Sequence, residues 1–133
     1  MLLKYTLFCC SFCCLISCSD SSTITNSQQN TIIGEWQWNR TDGGIGGWHY
    51  TPASEGYTCK ITFFDRSNCS LYRNDSLVQS GTYTITSSNL SISGFIQWQP
   101  NIVFNGEFSI AHDSLIFSDD GIYDGLSSLY IRK

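Results

Sequence analysis

The chain predicts an all-β protein, a small eight-stranded antiparallel up-and-down barrel. From Ile33 onward apolar and polar residues alternate with period two, and no stretch of three-to-four periodicity interrupts them. Turn residues recur at about ten-residue intervals, the spacing of an antiparallel meander. Aromatic residues make up 14% of the chain and glycines number 11, while the good helix formers are scarce. No second, fully buried apolar face is available for a two-sheet sandwich, which favours closure into a barrel.

The first strand places Trp36 and Trp38 on one face and Glu35, Gln37 and Asn39 on the other. In the second, Cys59, Ile61 and Phe63 oppose Thr58, Lys60 and Thr62. Asp65-Arg66-Ser67-Asn68 reads as the following turn, closed by Asn68 in the left-handed conformation. That turn sets Ser70 and Tyr72 beside Phe63 and Ile61, facing inward, before the chain reverses at Asn74-Asp75. Tyr83 and Ile85, then Leu90 and Ile92, continue the inward row. The sixth strand carries Ile102, Phe104, Phe108 and Ile110 inward, with Gly106 in the same row. His112-Asp113 turns into Leu115-Ile116-Phe117, and Leu126 to Arg132 forms the last strand. Glycines 81, 94 and 106 are the bends that closure requires.

A length of 133 residues allows one domain. The formal charge of −4, with basic residues adjoining only at Arg132-Lys133, argues against nucleic acid as a partner. Residues 1–17 read as a signal peptide: a basic start at Lys4, then an apolar stretch too short to span a membrane. It ends in Leu15-Ile16-Ser17-Cys18, which resembles the lipobox of bacterial lipoproteins. That resemblance implies cleavage before Cys18, a diacylglyceryl group on its thiol and an acyl chain such as palmitate on the new amine. Residues 18–31 then form the lipidated cysteine and a polar tether, spanning about 20 Å root-mean-square, and residues 32–133 the barrel. Two or more acyl chains give stable anchoring, so the membrane is an expected partner.

Of seven cysteines, only Cys59 and Cys69 lie beyond Cys18. With Phe64 facing Cys69, Cys59 would face about Asn74, an offset of roughly 16 Å. The side chains would also fall on opposite faces, so no disulfide is expected.

Gly34-Glu35-Trp36 resembles the G-x-W signature of lipocalins, and Arg132 matches the basic residue that packs across that tryptophan at the barrel floor. The chain is more similar still to short lipocalin-like lipoproteins of bacteria. The shared pieces are Gly43-Gly44-Ile45-Gly46-Gly47, Ile61-Thr62-Phe63-Phe64, Ser80-Gly81-Thr82-Tyr83-Thr84-Ile85 and the closing run from Asp124-Gly125 through Tyr130-Ile131-Arg132. The resemblance implies a lipocalin-like barrel in the bacterial cell envelope, with the outer membrane as its expected location. Gly34, Trp36 and Arg132 are then structural.

Reaction chemistry finds no support in the residues. Gly43 to Gly47 does not lead into a helix, as a phosphate cradle needs. His49 and His112 lack companions at metal-ligand spacing, and no serine lies in a G-x-S-x-G elbow. Asp119-Asp120-Gly121 lacks the alternating ligands of a calcium loop. A non-enzyme without metal or cofactor is therefore expected. Its expected role is to bind a small apolar or aromatic ligand, through inward Tyr72, Tyr83, Phe104 and Phe108 with Trp48 and Tyr50 at the mouth. A filled barrel would serve instead as a protein-interaction or inhibitor module. A third reading is carbohydrate binding through exposed Trp48 and Trp98.

Overall fold

The computed structural model describes residues 31–96, 101–119 and 125–133. Among them the strands are β1 (Gly34–Gly43), β2 (Trp48–Tyr50), β3 (Cys59–Phe63), β4 (Asn68–Arg73), β5 (Ser76–Thr86), β6 (Asn89–Ser93), β7 (Gly106–Ala111), β8 (Ser114–Ser118) and β9 (Leu126–Arg132). The single described helical turn of note is α1 (Pro52–Glu55). Sheet order is β2-β1-β3-β4-β5-β6-β7-β8-β9, with β1 also paired to β9. Short β2 adds to the same side of β1 as β3, so eight strands make a closed antiparallel barrel, the fold class expected.

Each turn has a local cause. Between β4 and β5, Asn74 and Asp75 take positive φ (48° and 63°), the two-residue turn whose twist suits a hairpin. Helix α1 opens with a capping box: Thr51 Oγ1 accepts from the Ser54 N–H, and the Ser54 hydroxyl accepts from the Thr51 N–H. Pro52 occupies its first turn, and Gly56 ends it at φ 73°. In β1 a register shift between Trp38 and Arg40 leaves Asn39 and Arg40 both outward and returns Thr41 to the interior.

The β3–β4 turn corrects the sequence reading by one residue. Asn68 does not adopt a left-handed conformation. Instead the Asp65 carboxylate accepts from the N–H groups of Ser67 and Asn68 (2.7 Å each) and from Asn68 Nδ2 (2.7 Å). These bonds start β4 at Asn68 and pair Phe63, not Phe64, with Cys69. A one-residue shift exchanges the two faces of a strand. Cys69 and Leu71 are therefore buried, while Ser70 and Tyr72 lie on the outer face. Tyr72 is no lining residue; its ring lies under Lys60 Nζ, 4.8 Å from the centroid. Cys59 and Cys69 share the inward face, contrary to expectation, and both are free. Cys59 pairs with Arg73, which puts the thiols four residues apart, about 13 Å along the strands.

A second correction concerns residues 102–104. They do not extend β7. β6 and β7 share only the pairs Asn89↔Glu107 and Leu90↔Gly106, and the Ile92 N–H is taken by Asn105 Oδ1 (2.6 Å) in place of a ladder bond. Above that seam the chain turns inward. Ile102, Val103 and Phe104 are 1%, 4% and 4% exposed. Gly94 and Gly106, at φ 94° and 109°, flank this connection. The core cluster joins these residues to Trp36, Trp38, Tyr57, Leu71, Tyr83, Phe117 and Tyr130.

Candidate functional site

The two ends of the barrel differ. At the floor, Arg132 stacks on Trp36 with Cζ 4.1 Å from the ring centroid. Gly34, Trp36 and Arg132 thus meet where the first and last strands pair. The other end is the mouth, formed by the β1–β2 hairpin, α1, the β4–β5 turn and the inward connection.

Inside the mouth lies a chain of hydroxyls. Trp38 Nε1 donates to Thr41 Oγ1 (3.0 Å), and Thr41 Oγ1 and Ser128 Oγ share a hydrogen bond (2.6 Å). Ser128 Oγ also accepts from the Val103 N–H (2.8 Å), and the Tyr130 hydroxyl donates to the Val103 carbonyl (3.0 Å). The wall therefore holds both backbone polar groups of Val103, the N–H and the C=O. Such groups need partners once they leave water, and Ser128 and Tyr130 supply them, with Thr41 bonded to Ser128 behind them, all three fully buried. Asn101 Nδ2 adds a bond to Glu55 Oε2 (3.3 Å). Beside it, Trp38, Tyr57 and Arg73 form a ladder: the rings lie 5.8 Å apart at 17°, and the guanidinium sits 4.4 Å from the Tyr57 centroid.

The rim follows from the pairing of β2. Thr41 faces inward and pairs with Tyr50, and Gly43 pairs with Trp48, so both aromatics continue the inner face past the end of the wall. Their rings lie 6.3 Å apart at 13°. Tyr50 packs against the core, while Trp48 is 57% exposed. The glycine loop runs along the indole: a Cβ at Gly46 would fall 2.9 Å from Trp48 Cε2 and Nε1. Ile45, at the loop tip, is 92% exposed. On the outer face Asp42 binds Arg40 Nε (2.6 Å) and His49 Nδ1 (2.5 Å). The His49 hydrogen bond, then that of Arg40, holds the Asp42 carboxyl below its ordinary pKa.

The remaining expected contacts lie in the packed interior. Tyr83 is buried at the floor end, edge-on to Phe63 at 4.8 Å, and its hydroxyl donates to the Asp65 carbonyl. Burial, with Asp65 and Cys69 adding to it, pushes the Tyr83 phenol up to about 12. Phe104 packs edge-on to Phe95 (5.6 Å), and Phe108 on Phe117 (6.4 Å), which in turn meets Tyr130 (5.7 Å). The structure therefore brings Trp48 and Tyr50 together and leaves Tyr72 outside. Cys18 and Trp98 lie outside the described residues. Sequence reading did not single out Thr41, Ser128 and Tyr130. The signal was there for the last two, since polar Ser128 alternates with apolar neighbours on the inward row of the final strand.

Among the described residues no three His, Cys, Asp or Glu side chains form a group that could hold a metal ion. Burial pushes the Cys59 thiol up to about 12 and the Cys69 thiol to about 11, away from nucleophilic character. Fold and site thus define a small closed antiparallel β-barrel with an aromatic rim. Comparison with protein-family models, with curated proteins and with solved structures finds no match to the chain.

Proposed function

We propose that the chain is a lipid-anchored, lipocalin-like binding protein of the bacterial cell envelope, at the outer membrane and without catalytic activity. It binds an apolar or aromatic group at its mouth, on Trp48 and Tyr50. The observation that carries this reading is Trp48 itself: an indole packed close to the Gly46 backbone and near-parallel to the Tyr50 ring, yet 57% exposed. Large aromatics presented in a fixed geometry bind at low entropic cost.

Magnitudes favour the mouth over the interior. A ligand inside the barrel would have to displace Ile102, Val103 and Phe104, each buried side chain contributing roughly 1.5–3 kcal/mol. Affinity would fall by about three or more powers of ten for that displacement alone. Entry of the described chain at the floor supports a working mouth. The chain enters the fold at the floor, where Arg132 Nη2 and Nη1 donate to the Thr31 and Ile33 carbonyls (2.6 and 3.0 Å). A tether arriving there leaves the aromatic rim at the opposite end.

Native mass spectrometry of the full chain extracted in detergent from its host envelope tests the binding. A mass excess that disappears on denaturation and in Trp48→Ala supports the mouth. An excess that survives Trp48→Ala moves the ligand to the interior, and no excess favours the filled-barrel interaction module. Loss of labelled palmitate in Cys18→Ala tests the anchor separately.

A further inference from the structure

We propose that the free margin of β7 at Ile110, with the pocket beside it, docks an extended segment of a partner protein that carries a lysine or arginine. This site lies at the floor end, apart from the mouth, and does not depend on what the mouth binds.

β7 pairs with β8 along its length, from Glu107↔Ser118 to Ala111↔Ser114. On its other side β6 reaches only Gly106 and Glu107. The next main-chain donor on that side, the Phe108 N–H, goes to the Ser88 carbonyl (2.8 Å) in the β5–β6 turn. Alternate residues of a strand direct their N–H and C=O to the same side. The Ile110 pair therefore points past the end of β6, and among the described residues no strand meets it there.

A pocket of about 130 Å³ opens beside this margin, over the preceding residues of β7, lined by Ser88, Glu107, Phe108, Ser109, Ile116 and Ser118. Ile116 gives it an apolar wall, the serines give hydroxyls, and Glu107 is the sole charged lining residue; Phe108, whose side chain packs in the core, lies at its base. A donor and acceptor at strand spacing match another extended backbone, and alternate side chains of an added strand meet the same outer face. A lysine or arginine there would lay its methylenes on Ile116 and its cation near Glu107. A carboxylate would meet like charge.

The test uses the isotopically labelled full chain and two capped peptides, Thr-Val-Thr-Lys-Thr-Val-Thr and its counterpart with Glu for Lys. Amide shifts are expected at Phe108 to Ala111 and around Ser88 and Ser118, with the lysine peptide binding about tenfold tighter than the glutamate one. Ile110→Pro removes an N–H that the β7–β8 ladder does not use and should abolish binding. Glu107→Gln, which leaves the ladder untouched, should erase the preference for lysine whether or not the proline variant folds. Protection of the Ile110 amide from exchange before any peptide is added would overturn the proposal. So would absence of binding, shifts confined to Trp48 and Tyr50, or a lysine preference that survives Glu107→Gln.

Discussion

The Arg132 guanidinium lies 4.1 Å from the centre of the Trp36 ring while its two terminal nitrogens bind the Ile33 and Thr31 carbonyls. One side chain of the last strand thus holds the first strand and the segment that leads into it. Gly34 makes room for this: a Cβ there would fall 2.8 Å from Arg132 Nη1, at a φ of +138°.

Trp36→Ala is expected to destabilise the barrel by roughly 3–5 kcal/mol, read by urea denaturation. Gly34→Ala should cost about 1–3 kcal/mol through backbone strain and the displaced guanidinium. Arg132→Lys keeps the charge but loses the planar fork and its two carbonyl bonds. Near-wild-type stability of Trp36→Ala would contradict the role of the floor.

The clamp on Val103 gives a second expectation. Ser128→Ala strands the buried Val103 N–H, and Tyr130→Phe strands its carbonyl, each at a cost of about 1–3 kcal/mol. Both hold the same residue, so the double variant should lose less than the sum. Amide exchange at Val103 is the local readout; unchanged protection in Ser128→Ala would mean the connection is held by its side chains alone.

Acid should loosen the β3–β4 turn. Hydrogen bonds from Asn68, then from the Ser67 and Asn68 backbone, hold the Asp65 carboxyl at about 2, below the ordinary 3.8. A depressed folded-state pKa gives stability that is present above the unfolded value and lost as pH falls through the folded one. The contribution should therefore fade between about pH 4 and pH 2. Asp65→Asn should flatten that limb of the stability–pH curve; an unchanged acid limb would remove Asp65 from the account.

Alkali acts in the opposite sense. Burial raises Cys59 from 9.0 to about 12 and Cys69 from 9.0 to about 11, and it raises Tyr57 and Tyr83 from 10.0 to about 12. For raised values, stability is whole below the unfolded pKa and is lost as pH climbs toward the folded one. Stability should fall from about pH 9 upward. The same burial should keep both thiols unreactive toward a disulfide reagent at neutral pH until denaturant is added. Rapid labelling of the native chain would place a thiol at the surface.

Local forces act between neighbours in sequence, and strand alternation records them. Alternation identified the inward faces of β1, β3, β5, β6 and β7, because a strand half in water must change polarity at every residue. Asn74-Asp75 and His112-Asp113 were legible as turns, since positive φ favours such residues. Trp36 and Arg132 were legible through the resemblance. The register of β4 was not. It depends on which backbone N–H groups the Asp65 carboxylate captures, and a shift of one residue moves Tyr72 from core to surface without changing the alternation.

The fate of Ile102 to Phe104 was also beyond local reading. An apolar run suits a buried strand or a buried irregular segment equally. The choice fell to Ser128 and Tyr130, more than twenty residues away, whose hydroxyls satisfy the Val103 N–H and C=O that inward folding buries. Composition and alternation by themselves determined an all-β chain with its strands, turns and candidate aromatics. Tertiary structure decided strand register, the inward turn of the β6–β7 connection and the exposure of Trp48, because each depends on partners that only closure of the barrel brings within hydrogen-bonding or packing distance.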